Sequence, residues 1–142
     1  MGIDPLSTID VNGFIEESKK SIFLNKEIKP SLLDSRLISG VGNIYASEAL
    51  YMSKINPLRL ISSLNENELT SLFLNIHEIL NLSYQNGGST ISDYVTTSGE
   101  KGEFQNFHKI YQKKVCSICE NEIVHIMQKK RATYFCSICQ PI

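Results

Sequence analysis

Cys116-Ser-Ile-Cys119, then sixteen residues, then Cys136-Ser-Ile-Cys139: this stretch holds all four cysteines and decides how the rest of the chain is read. Two Cys-x-x-Cys knuckles bring four thiolates to one ion. The two-residue gap lets each knuckle fold tightly enough for both sulfurs to reach a zinc at about 2.3 Å. The segment between them, Glu120 to Phe135, is long enough to run out and back as a hairpin. Ile123, Val124, His125 and Ile126 give one β-rich arm, and Ala132 to Phe135 the other. Gln128-Lys-Lys-Arg131 lies between them and is expected to be the exposed tip. Two disulfides would need an oxidising compartment, and the chain opens without an apolar secretory segment. Iron is the other metal that four thiolates suit. The reading adopted is one structural Zn²⁺ on Cys116, Cys119, Cys136 and Cys139.

The chain has 142 residues, 42% of them apolar, enough for a helical domain and a small metal module. No apolar run is long enough to span a bilayer, so a membrane protein is not expected. The formal charge is −1 and does not advertise a nucleic-acid binder. Its distribution is more informative. Residues 1–100 carry seven Lys and Arg against twelve Asp and Glu; residues 101–142 carry seven against three. Four thiolates and one Zn²⁺ lower that second surplus by two and leave the finger positive. An ordinary soluble surface has the same charge balance.

Upstream, Asp10 is an expected N-cap for a helix of Val11, Phe14 and Ile15 running to about Lys20. Ser21 to Lys29 reads as a connector. Pro30 fits the first position of the next helix, with Leu32, Leu33 and Leu37, ending at Ser39-Gly40 with Gly40 left-handed. Gly40-Val-Gly-Asn43 then opens a helix from Ile44 to about Lys54, whose Ala46 and Ala49 allow close packing. Amides at Gly42 and Asn43 would face an anion at that helix N-terminus; a plain helical-hairpin turn has the same sequence signature. Ser63-Leu-Asn-Glu66 reads as a capping box for the longest helix, with Leu69, Leu72, Phe73, Ile76 and Leu80 as its core face. Gly87-Gly88 stops that helix, and 89–102 reads as a polar loop. Phe104, Phe107, Ile110, Tyr111 and Val115 lead into the finger, read as a strand. No phosphate loop, nucleotide fingerprint, Ser-His-Asp set or carboxylate pair stands out. With the four thiols engaged, no cysteine is left as a nucleophile.

Three stretches carry a resemblance: Ile28-Lys-Pro-Ser-Leu-Leu-Asp34, Gly40-Val-Gly-Asn-Ile-Tyr-Ala-Ser-Glu-Ala-Leu50 and Arg131-Ala-Thr-Tyr-Phe-Cys-Ser-Ile-Cys-Gln140. In that order they resemble the C-terminal half of the bacterial formamidopyrimidine-DNA glycosylases. The resemblance implies a mainly α fold: a helix–two-turns–helix domain over residues 1–105, then a β-hairpin zinc finger over residues 106–142. It implies base-excision repair of oxidised purines such as 8-oxoguanine and formamidopyrimidines, with the damaged nucleotide flipped out of the duplex. It implies phosphate contacts from Lys29, Asn43 and Arg131, with Gly42 and Tyr45 on the same surface. Physically, Lys and Arg give charge-assisted bonds to phosphate, while Asn and backbone amides fix register without reading sequence.

The family's nucleophile is an amino-terminal proline in a separate β-sandwich, and Pro5 does not stand in that context. No catalytic residue is therefore assigned, and the chain alone is expected to lack glycosylase and lyase activity. The expected partners are damaged or kinked double-stranded DNA and a separately encoded N-terminal catalytic domain. The chain is expected to be a monomer in the cytoplasm, at the nucleoid. Two other readings stay open: a stand-alone damaged-DNA-binding module that does not cut, and a zinc-ribbon protein–protein adaptor.

Overall fold

The computed structural model describes residues 11–85 and 109–142. The expected N-cap Asp10, the Gly87-Gly88 stop, the 89–102 loop, Phe104 and Phe107 lie outside them.

Helix α4 (Asn43–Met52) lies at the centre of the helical part, and its composition explains why. Every residue from Tyr45 to Tyr51 is buried, so the helix has no solvent-facing stripe and must be wrapped on all sides. Helix α5 (Glu66–Gln85) packs along it with Leu69, Leu72, Phe73, Ile76 and Leu80 all inside, as the helical spacing predicts. Helix α1 (Val11–Ser18) closes the far side, with the Phe14 ring 5.2 Å from that of Phe73. Each fully buried phenylalanine contributes about 2 kcal/mol of transfer free energy.

The stretch read as a connector is partly helical. Helix α2 (Ser21–Leu24) buries Phe23, and helix α3 (Ile28–Leu32) buries Ile28 and Leu32. Pro30 sits third in α3 rather than first. It is tolerated because the N–H groups of the first helical turn have no partner within the helix. The expected continuation of this helix to Ser39 does not form. The Asp34 carboxylate takes the Arg36 N–H (2.9 Å) and its carbonyl takes the Leu37 N–H (3.0 Å), so a turn replaces the helix. Leu37 and Ile38 are still buried, delivered by the turn. Gly40 is left-handed as expected, with φ +80°.

Helix α4 ends in a Schellman motif: the Lys54 N–H reaches the Tyr51 carbonyl (3.1 Å) and the Ile55 N–H the Leu50 carbonyl (2.9 Å). The position that wants glycine holds Lys54 at φ +59°. Lys54→Gly should therefore stabilise the fold, by up to about 1 kcal/mol, read as a raised urea midpoint with unchanged slope. The capping box of α5 is two residues later than expected. The Asn65 side chain accepts the Glu68 N–H (2.8 Å), and the Glu68 carboxylate accepts the Asn65 N–H (3.0 Å). Ser63 instead ends a 3-10 turn, Ile61–Ser63.

The finger is a two-stranded antiparallel sheet, β1 (Val124–Gln128) against β2 (Arg131–Phe135), with Gln128 opposite Arg131. Lys129 (φ +51°) and Lys130 (φ +68°) make the two-residue turn, the pair of positive dihedrals that a primed hairpin turn requires. The expected exposed tip needs one correction: Gln128 is buried. Its amide donates to Glu27 Oε1 and to the Pro57 carbonyl (3.0 Å each), while Oε1 accepts from Thr133 (3.1 Å). Over the described residues 109–115 the expected strand into the finger does not form either. Val115 makes one isolated bridge to Glu122 and stays exposed, while Ile110 is buried. A second, smaller core joins Tyr51, Ile110, Cys116, Ile123 and Cys136. Among the described residues, no helix is long and apolar enough to cross a membrane.

Candidate metal centre and nucleic-acid interface

The four cysteine sulfurs lie within 4.8 Å of one another. Cys116 and Cys139 are 3.7 Å apart, Cys119 and Cys136 3.4 Å, so none is disulfide-bonded. A tetrahedral ion with bonds of about 2.3 Å requires sulfur separations of about 3.8 Å. The donor set therefore fits a four-thiolate ion. Donors reach the sulfurs, though burial still pushes the Cys136 and Cys139 thiols up: the Ile118 N–H points at Cys116 Sγ and the Cys139 N–H at Cys136 Sγ (3.4 Å each). Asn121 Nδ2 donates to Cys119 Sγ (3.2 Å), and the Tyr51 hydroxyl lies 2.9 Å from Cys116 Sγ. Such outer contacts orient ligands and spread their charge.

Lys29 and Asn43, fourteen residues apart, meet at 2.6 Å, Nζ to Oδ1. Both reach strand β2. Lys29 Nζ donates to the Ala132 carbonyl (3.2 Å) and to Thr133 Oγ1 (2.8 Å), and Asn43 Nδ2 donates to the Ala132 carbonyl (3.0 Å). Arg131, the next residue along, is exposed. Lys29 and Arg131 line one small cavity of about 140 Å³ with Lys129, Gln128, Pro30 and Leu33. Three predicted site residues thus come together from three parts of the chain. Lys29 is not on the surface, however; it is 1% exposed. Burial first, then the Arg131 guanidinium, pulls its ammonium from 10.5 down to about 8. Gly42 is exposed at the start of α4, and Tyr45 is buried one turn further on. A methyl group at Gly42 would meet only the Tyr45 ring at 3.9 Å, so glycine is not sterically required there.

Several residues that hold the finger in place were not singled out in the sequence, although Glu48 and Gln140 lie within the quoted stretches. The buried Glu48 carboxylate accepts three consecutive backbone N–H groups, from Lys109 (2.6 Å), Ile110 (3.1 Å) and Tyr111 (2.9 Å). Burial pushes its carboxyl up, against these donors, which favour the anion. Its physical signal in the sequence is a lone carboxylate inside the otherwise apolar or small run Tyr45 to Tyr51. Gln140, fully buried, accepts the Cys136 N–H (2.9 Å) on its side chain and donates to the Ile55 carbonyl (2.8 Å). Asn56 Nδ2 donates to the Gln140 carbonyl (2.9 Å).

A family model described as the formamidopyrimidine-DNA glycosylase H2TH domain matches residues 1–95. The chain belongs to that family. A formamidopyrimidine-DNA glycosylase of Wolbachia sp. subsp. Drosophila simulans (strain wRi) is 43% identical over 98% of this chain and 51% of its own length. One from Mycoplasmopsis pulmonis is 40% identical over 97% and 52%. The chain thus spans about half the length of these relatives and matches the C-terminal half of the family. Among solved structures, Lactococcus lactis Fpg in complex with abasic-site DNA superposes with a TM-score of 0.84 at 36% identity, covering 100% of this chain and 52% of that one. The G226P mutant of the same enzyme, bound to Fapy-dG DNA, gives a TM-score of 0.86 at the same identity and coverage.

Proposed function

We propose that this chain is the DNA-holding half of a base-excision-repair glycosylase for oxidised purines, with one structural zinc on Cys116, Cys119, Cys136 and Cys139. The observation that carries the reading is the convergence of Lys29, Asn43 and Arg131 at the junction of glycine turn and hairpin. It lies in a chain whose structural relatives are described as bound to damaged DNA. The ion would do no chemistry on the substrate; it would fix the knuckles that carry β2 and therefore Arg131. Gly42, Asn43 and Tyr45 would lie beside the DNA strand, and Arg131 would take a phosphate. The reading divides the chain into a helical domain over 1–105 and a finger over 106–142; one apolar cluster lies within the helices, and a second joins the finger to α4 through Tyr51. Base chemistry would be supplied by an N-terminal catalytic domain, and the working site would be the nucleoid.

Arg131→Ala tests the reading. Affinity for damaged and undamaged duplex should fall by similar factors, and the slope of log affinity against log salt should fall by about one, because one phosphate contact is lost. Fluorescence anisotropy over a salt series reads both. Unchanged affinity and slope would instead favour a zinc-ribbon adaptor, a reading supported by Ile118 and Ile138, which are 62% and 61% exposed on the two knuckles.

A further inference from the structure

We propose that Lys29 is a positioning residue, an internal brace that locks the Asn43 amide to strand β2, rather than a phosphate ligand. The inference rests on the DNA-holding reading for its purpose, but its geometry stands alone. An ammonium has three N–H donors and no acceptor. Lys29 has three acceptors within 3.2 Å: Asn43 Oδ1, the Ala132 carbonyl and Thr133 Oγ1. At 1% exposure it would have to break one of them to touch DNA.

The brace also fixes which way Asn43 faces. Lysine can only donate and the Ala132 carbonyl can only accept, so Oδ1 must face Lys29 and Nδ2 must face Ala132. That orientation uses one Nδ2 hydrogen and leaves the other, on a half-exposed residue, for a further acceptor. Thr133 passes the order on: its hydroxyl accepts from Lys29 and donates to Gln128 Oε1, and Gln128 Nε2 donates to Glu27 and to the Pro57 carbonyl. Turn, hairpin and the start of α3 are thereby held in one register, with Arg131 next to the anchored Ala132. The charged groups near the ammonium are Arg131 on β2, Lys129 in the hairpin turn and, through Gln128, Glu27 at the start of α3.

The brace needs the charged form, and its sign with pH is distinctive. The ammonium is lowered from 10.5 to about 8. Between those values the unfolded chain holds a proton that the native chain lacks, so global stability rises with pH across that window. DNA affinity should fall as pH rises through about 8, where the brace loses its charge, and stay low while stability rises. Partial unfolding would move both in the same direction.

The test compares the chain with Lys29→Met and Lys29→Gln, the latter keeping a neutral donor. The side-chain amide signals of Asn43, identified by their loss in Asn43→Ala, are followed by NMR from about pH 6 to about pH 10. They should titrate with a midpoint near 8 in the chain and stay flat in Lys29→Met. Affinity for an abasic-site duplex should drop about tenfold in Lys29→Met with the salt slope unchanged, and recover in part in Lys29→Gln. A slope lower by about one in Lys29→Met would make Lys29 a direct phosphate ligand and overturn the proposal. Asn43 signals indifferent to both pH and substitution would overturn it too. If the unaltered chain binds no DNA, the DNA-holding reading fails, while the Asn43 signals still decide whether the brace exists.

Discussion

Cys119→Ser, or removal of the ion by a chelator, is expected to melt the finger and leave the helices standing. The hairpin has two five-residue strands and a small core of which two members are cysteines. A two-stranded hairpin of that size is marginal in water. Binding of zinc to four thiolates supplies of order 10 kcal/mol, far more than the sheet can. The helical part has its own core, from Phe14 to Leu80, which contains no cysteine. The expected result is one zinc per chain by elemental analysis. On chelation, amide protection should vanish from β1 and β2, with the helical far-UV signal largely kept. A metal-free chain with protected strand amides would overturn it.

Glu48→Ala is expected to be the most damaging substitution outside the metal centre. It removes one acceptor from three adjacent N–H groups at once. A buried donor left without a partner costs about 1–3 kcal/mol. Ile110 is fully buried, but Lys109 is exposed and Tyr111 half-buried, so water replaces part of the loss. The net cost should be about 3 kcal/mol, measured by urea unfolding. The chain from Lys109 into the first knuckle should loosen first, so hydrogen exchange should rise at 109–116 before it rises in α5. Glu48→Gln keeps one acceptor oxygen and should cost less. Equal exchange in both regions would mean that Glu48 serves only the global core.

The cysteines were legible because metal coordination imposes a spacing that few other constraints reproduce. Helix α5 was legible because one face of a 3.6-residue repeat must be apolar. Where the reading went astray, a polar side chain had taken a backbone role. Leu32, Leu33 and Leu37 keep helical spacing, yet Asp34 offers its own oxygens to Arg36 and Leu37 and turns the chain. Gln128 beside two lysines reads as a surface residue. Its burial depends on Glu27 and Pro57, 101 and 71 positions away, which no local pattern encodes. Lys29 and Asn43 were found through the resemblance, but it did not foretell that Lys29 faces inward. That depends on where β2 comes to rest.

The bonds that fasten the finger to the helices have a kinetic consequence. Glu48 reaches forward 61 to 63 positions, Asn56 84, and Lys29 103 and 104. Each closes a long loop, and its entropy is lost before the contact repays it. The acceptors Glu48 and Ile55 and the donor Asn56 lie in or just after α4, so the surface that receives the finger exists only once that helix is packed. The expected order of folding is therefore helices first, with the four-cysteine finger closing locally through a loop of sixteen residues, and docking of the one on the other last.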